Sequence, residues 1–298
     1  MLEILFLNLD NGCVPVVAST TNAAVNNGCE RFQETLRKHE AQDKYLAPRL
    51  HAERLEISAV LTFKSDAPRE MDNRTNYTNA SSKPKRGSKY LFAVSAAKAV
   101  LQMAALIPTK NAKLIQLREK HQRLSIILNT PVSERDPDDV ANLKKLIKRA
   151  LEDVITAADA LFTTTVMFTH KLARGFREKY DIVAIEEAGS CTVLDVCIVW
   201  KGGDMKLILA GDPYQLPPFV GSARAKYDGV PANAFPQQIQ MPLLHQLILN
   251  GCPYWLVPEQ LRIDPGLWEL ALYVIHSSEK IAIPEGKLPS QAAKDFES

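Results

Sequence analysis

The sequence predicts an α/β protein with a mainly parallel sheet covered by helices on both faces. Three observations predict it. Apolar runs of strand length alternate with helical segments: "VPVVAS" (14–19), "ALFTTT" (160–165), "DIVAIE" (181–186), "KLILAG" (206–211) and "YWLVP" (254–258). These runs are apolar without strict alternation, as strands buried on both faces are. Their polar residues collect at the C-terminal ends, where ligands bind in such sheets: Ser19, Thr164, Glu186, Glu187, Asp212 and Gln215.

Each element follows from local sequence. The run 14–19 reads as a buried strand. After it, "TTNAAVNNGCERFQETLRKH" sets Ala23, Ala24, Val25, Cys29 and Phe32 at helical spacing behind Thr and Asn caps. Strand, polar turn and helix make the α/β unit. Residues 66–89 are polar and poor in large aliphatics, and read as a loop or insertion. They hold a basic cluster, Lys83, Lys85, Arg86 and Lys89, which is a solvated charge run or a phosphate contact. Residues 90–158 read as helical. "LFAVSAAKAVLQMAAL" is Ala-rich; "DPDDVANLKKLIKRALEDVITAADA" opens on acids suited to a helix N-terminus and carries a Val/Leu/Ile stripe. The remaining strands then return, separated by helices or loops.

Bulk properties exclude several classes. The 298 residues suffice for one large or two modest domains, with 46% hydrophobic and 23% charged residues. A net charge of +2 neither demands nor excludes a nucleic-acid partner. The five cysteines are odd in number, show no C-x-x-C spacing, and read as buried thiols in a reducing compartment rather than a zinc site. No run approaches the ~18 apolar residues of a membrane helix. "MLEILFLNLD" lacks the basic start of a secretory signal. The sequons at Asn73, Asn76 and Asn79 read as chance in a polar loop. The expected location is intracellular, nuclear or cytoplasmic. Neither H-E-x-x-H nor G-x-S-x-G occurs.

The chemistry lies at two strand tips. In "DIVAIEEAG" the apolar run ends in paired carboxylates. One carboxylate at such a tip can hold Mg²⁺, usually through water, and a second can orient or deprotonate an attacking water. Capping of the next helix is the plainer account of the pair. In "GDPYQLPP" Gly211 allows a tight turn, Asp212 and Gln215 present polar heads, and Leu216-Pro217-Pro218 stiffens the exit. An ordinary Pro-rich turn is the plainer account there.

Together these residues resemble superfamily 1 helicases of the group that contains the nonsense-mediated-decay helicase and senataxin. Motif II of that family reads Asp-Glu-Ala, and here "EEAG"; motif III reads Gly-Asp-x-x-Gln-Leu-Pro-Pro, and here "GDPYQLPP". "VVASTTNAAVNNGCERF" resembles motif Ia, "ADALFTTT" the strand whose threonines face the nucleic-acid backbone, and "EQLRIDP" motif IV. The resemblance covers roughly residues 14–50 and 155–276. It implies a RecA-like P-loop NTPase core with a helical insertion and an incomplete second RecA-like domain. Residues 1–52 would be the first part of RecA-like domain 1, with motif Ia. Residues 53–154 would be the insertion, a polar loop and then helices. Residues 155–255 would be the second part of domain 1, with motifs Ic, II and III. Residues 256–298 would be motif IV and the start of domain 2.

The resemblance also implies roles. Glu187 would be the catalytic base, and Glu186 would hold Mg²⁺ through water. Asp212, Gln215, Gln260 and Arg262 would bind nucleotide. Gln215 would act in catalysis at the γ-phosphate and its attacking water, and Arg262 as an arginine finger. Ser19, Thr20, Asn22 and Thr164 would contact single-stranded RNA or DNA. ATP and Mg²⁺ are the implied cofactors.

Three departures temper that expectation. No G-x-x-x-x-G-K-[ST] occurs, so the loop that cradles phosphates has no counterpart. Motifs V and VI have none either, so the chain reads as truncated at both ends. Glu186 stands where the family has aspartate, which advances the carboxylate by about 1.5 Å, and Leu261 replaces a usual tyrosine. The expected activity is therefore an ATP-dependent helicase type with weak ATP binding, little hydrolysis and no unwinding by this chain alone. A non-catalytic nucleic-acid-binding or scaffold module derived from a helicase is the alternative, and an incomplete gene model a third.

Overall fold

A computed structural model describes residues 1–63 and 91–257. The basic cluster Lys83–Lys89, Gln260, Arg262 and the rest of motif IV lie outside the described residues. The chain opens with α1 (Leu2–Asp10), β1 (Pro15–Ser19), α2 (Asn22–Lys38), β2 (Arg49–Leu50) and α3 (Glu53–Thr62). A helical stretch follows: α4 (Ala96–Met103), α5 (Ala112–Lys120), α6 (Gln122–Asn129) and α7 (Pro137–Ala157). The sheet resumes with β3 (Leu161–Thr164), α8 (Thr165–Phe168), β4 (Ile182–Glu186), α9 (Val193–Val199) and β5 (Lys206–Ala210). A small hairpin, β6 (Lys226–Tyr227) and β7 (Val230–Pro231), precedes α10 (Pro236–Gln240) and α11 (Leu243–Leu249).

The five-stranded sheet has the order β2-β3-β1-β4-β5. Every pair in it is parallel, so each connection crosses over a face and all carboxyl ends share one edge. This is the α/β class expected. Side-chain alternation divides the core into two layers. Val16, Ala18, Leu161, Val183 and Ile185 pack with residues of α3 to α7 and α9. Val17, Phe162, Ile182 and Ala184 face α1 and α2. β1 is buried along its whole length, which is why its sequence shows no polar alternation.

The helices carry their own start signals. Thr21 caps α2, its Oγ1 accepting from Ala24 N at 3.3 Å. The buried stripe Val25, Cys29, Phe32 and Leu36 keeps helical spacing, and full burial of a side chain such as Phe32 contributes about 1.5–3 kcal/mol. Asp136 caps α7 ahead of Pro137 at its first position. Thr192 and Asp195 form a capping box on α9.

A buried polar network ties the helical layer to the sheet edge. Glu56 is fully buried, and its two oxygens accept from His51 N and Ala97 N, each at 2.8 Å. Arg49, also fully buried, donates from Nε to Asn26 Oδ1 at 3.1 Å and from Nη2 to Asn22 Oδ1 at 2.8 Å. Its Nη1 donates to Leu50 O. Burial lowers the Arg49 pKa to about 10, which leaves it charged at neutral pH.

The structure departs from or adds to the sequence reading at four points. "YWLVP" was expected as a strand, but its described residues Tyr254–Val257 belong to no element and Trp255 is 89% exposed. A strand needs a neighbour for its backbone groups, and none of the described strands lies beside this one. β2 is too short for a periodicity to reveal it. The β6–β7 hairpin turns on Asp228 and Gly229, both with positive φ, the signature of a two-residue turn. The five cysteines are free thiols. Cys29 and Cys191 are buried, Cys13 is half-buried, and Cys197 and Cys252 are exposed, so the expectation of burial holds for only part of the set.

Candidate nucleotide and nucleic-acid site

The parallel register sets the strand tips in a row. Ser19 lies opposite Thr164 across the β1–β3 pair. Glu186 lies opposite Ala210 across the β4–β5 pair. Thr164, Ser19, Glu186 and Gly211 thus follow one another along the carboxyl edge of four adjacent strands.

Alternation along β4 turns Glu186 to the same face as Ile182 and Ala184, toward α2. Its Cγ lies 3.8 Å from where a Cβ on Gly28 would sit. Burial, and then the charge of Glu187, raise the Glu186 carboxyl above its ordinary pKa, with Arg31 partly opposing.

Glu187 departs from the strand in a left-handed conformation, φ 55° and ψ 42°. Its carbonyl accepts from Ser190 N and Ser190 Oγ, both at 2.9 Å, and from Cys191 Sγ at 3.6 Å. Three donors on one carbonyl hold the turn. A left-handed non-glycine residue costs about 1–2 kcal/mol, and such strain persists only where its surroundings fix it.

The two motif loops touch backbone to backbone. A Cβ on Gly189 would come within 2.2 Å of Asp212 O, and one on Gly211 within 2.7 Å of Ala188 N. Only glycine permits that approach from either side. Beyond it, Asp212 Oδ1 accepts from Tyr214 N at 2.9 Å and closes the turn. Gln215 is exposed, as are Leu216 and Phe219 at 86% and 94%.

Residues 10–223, most of the chain, match the family model described as an AAA domain. The chain belongs to the AAA domain family. Among curated proteins, Helicase SEN1 of Saccharomyces cerevisiae is 28% identical to this AAA domain over 169 residues, 54% of the chain and 7% of that protein. Helicase sen1 of Schizosaccharomyces pombe is 32% identical over 114 residues, 38% of the chain and 7% of that protein. The chain therefore spans a small fraction of the length of these relatives.

In this AAA domain the strand-tip residues differ in what they offer a ligand. Ser19 is fully buried, and its Oγ accepts from Thr21 N at 3.4 Å. Thr20, Asn22 and Thr164 are half-buried and keep some surface. Thr164 Oγ1 accepts from Met167 N at 3.3 Å as the cap of α8. Thr20 Oγ1 lies 4.0 Å from Cys191 Sγ, which links the β1 tip to the turn after Glu187. Gly189, Cys191 and Arg49 were missed in sequence; the signal for Gly189 was its place directly after the paired acids.

The residues of the AAA domain fit the implied cofactors unequally. A half-buried carboxylate with a raised pKa beside a second carboxylate is a site whose charge a divalent cation offsets. Among the described residues no three His, Cys, Asp or Glu side chains converge as a metal cage. Mg²⁺ binds through one or two carboxylates, waters and phosphates and does not require such a cage. The phosphate cradle is different: no G-x-x-x-x-G-K-[ST] occurs among the 298 residues, so nothing in the chain matches it. No helix among the described residues is long and apolar enough to cross a membrane.

Proposed function

We propose that this chain serves a helicase-type activity by supplying a single-strand-binding face and the acidic half of a nucleotide site. The name carried by the relatives, helicase, supports that reading. The observation that carries it is the backbone contact between the Glu187–Gly189 turn and the Gly211–Asp212 turn. Two loops so closely packed move together, and one bears paired acids while the other bears Asp212 and Gln215. Thr20, Asn22 and Thr164, on the neighbouring tips, are the proposed contacts to the nucleic-acid backbone, with Ser19 supporting them from beneath. The proposed division of the chain follows the same logic: a sheet domain from residues 1–52 and 155–255, interrupted by a helical insertion.

The proposed mechanism stays with this chain's residues. Bound Mg²⁺ with a nucleoside triphosphate would supply the charge that stabilises phosphoryl transfer. Glu186, whose carboxylate sits at the β4 tip, would hold the cation through water. Glu187 takes a proton from the attacking water. Asp212 shapes the turn that presents Gln215, and Gln260 and Arg262 complete the proposed nucleotide contacts.

Two measurements test this. A labelled single-stranded oligonucleotide should bind the 298-residue chain with an affinity that falls steeply as salt rises, since phosphate contacts release counterions. No binding at low salt sinks the proposal. Any triphosphate hydrolysis by the chain should be slow and should vanish in Glu187→Gln; unchanged turnover would remove Glu187 from the base position.

A further inference from the structure

Arg49 settles which way the Asn22 amide faces. A guanidinium donates and never accepts. The group that Arg49 Nη2 meets at 2.8 Å is therefore the Asn22 oxygen. Arg49 is itself fixed: it is fully buried and held by two further bonds, to Asn26 Oδ1 and Leu50 O. With Oδ1 turned inward, Nδ2 of Asn22 turns away. It makes no hydrogen bond among the described residues. It is also not among the buried polar atoms left without a partner there, which are Glu53 Oε2 and Thr165 Oγ1. Asn22 keeps surface, three residues beyond the end of β1.

We propose that Arg49 is a positioning residue: by holding Oδ1 of Asn22 it commits this position to donating, so that it takes an acceptor-only group, a phosphodiester oxygen of the bound strand. The inference rests on the nucleic-acid face proposed above and makes it more specific. A free amide offers both a donor and an acceptor and fits base edges, sugars or phosphates alike. With its oxygen turned inward onto Arg49, Asn22 presents its Nδ2 donors outward. The position then favours the backbone over the bases, which positions a strand without reading its sequence. Asn22 and Asn26 stand one turn apart on α2, so one guanidinium spans both. A lysine offers a single point of charge and cannot.

The test uses the 298-residue chain and a fluorescein-labelled deoxythymidine 15-mer, with binding read by anisotropy and folding by thermal melting. Asn22→Asp keeps an oxygen against Arg49 and adds a favourable charge, so its melting temperature should match or exceed that of the unmodified chain. It also replaces the outward donors by an acceptor, so affinity should fall about tenfold or more. Arg49→Lys should weaken binding less, by freeing the amide rather than inverting it. Equal binding by Asn22→Asp and the unmodified chain overturns the inference and leaves the proposed function standing. A melting temperature several degrees lower in Asn22→Asp overturns the inward orientation of Oδ1. Absence of binding by the unmodified chain at low salt overturns the proposed function, and this inference with it.

Discussion

Glu187 carries backbone strain where a neutral design would place glycine. Its left-handed conformation is held by Ser190 and Cys191 on its carbonyl, so the strain belongs to the turn and not to the carboxylate. Glu187→Gly should raise the unfolding free energy by up to about 1 kcal/mol in denaturant titration. A lower value would mean that the side chain itself holds the turn. His51 makes a second prediction. Burial, with the Arg49 charge adding to it, lowers its pKa to about 3. The unfolded chain then binds a proton that the folded chain refuses between about pH 6.5 and pH 3. Stability is full above that window and falls as the pH drops through it, by at most about 1.4 kcal/mol per pH unit for one proton. Titrating unfolding against pH should show this slope flatten in His51→Gln. The sequence alone could not reveal it, because a histidine in "RLHAERLE" carries no sign of burial.

At the scale of elements, glycines divide by what surrounds them. Gly28 sits inside α2, where a Cβ would meet Glu186 Cγ, Phe162 Cε1 and Val17 Cγ1 at ordinary contact distances of 3.8, 3.9 and 3.9 Å. Gly28→Ala should therefore stabilise the chain by about 0.5–1 kcal/mol. Gly211→Ala should do the reverse. Its Cβ would strike the amides of Ala188 and Gly189, which are backbone and cannot swing aside. A loss of about 1–3 kcal/mol is expected as the two turns part. Melting both variants side by side checks the contrast. Elements with a strong local signal were legible: β1, β3, β4 and β5 as apolar runs, α2 and α7 through caps and stripe. "YWLVP" has the same signal, but its described residues, 254–257, have no partner strand among those described and form none. Strand propensity measures fit to a neighbour more than preference of the chain.

Over the whole molecule, the sheet is what the sequence made plainest. Tips widely separated in sequence, Ser19 and Thr164 among them, meet because all five strands run one way. The paired acids and "GDPYQLPP" come together for the same reason. What stayed hidden was the burial of Ser19 and the grip of Arg49 on Asn22. Both depend on how α2 and β2 pack, which no local pattern encodes. Two buried groups tie the helical layer and α2 to the same sheet edge: Glu56 joins α3 and α4 to the chain just after β2, and Arg49 joins β2 to α2.

The uneven placement of the five thiols has a use at the bench. Thiolates react, and burial raises the thiols of Cys29 and Cys191 above their ordinary pKa, which favours the protonated form. Cys197 on α9 and Cys252 after α11 stand in solvent. A brief exposure to maleimide dye at neutral pH marks those two first, without any engineered cysteine. One label then rides on the helix that follows the paired acids and the other on the chain beyond the proline-rich turn. With a donor and an acceptor maleimide, energy transfer between them becomes a native ruler for whether α9 and the chain after α11 keep their spacing as ligand is added.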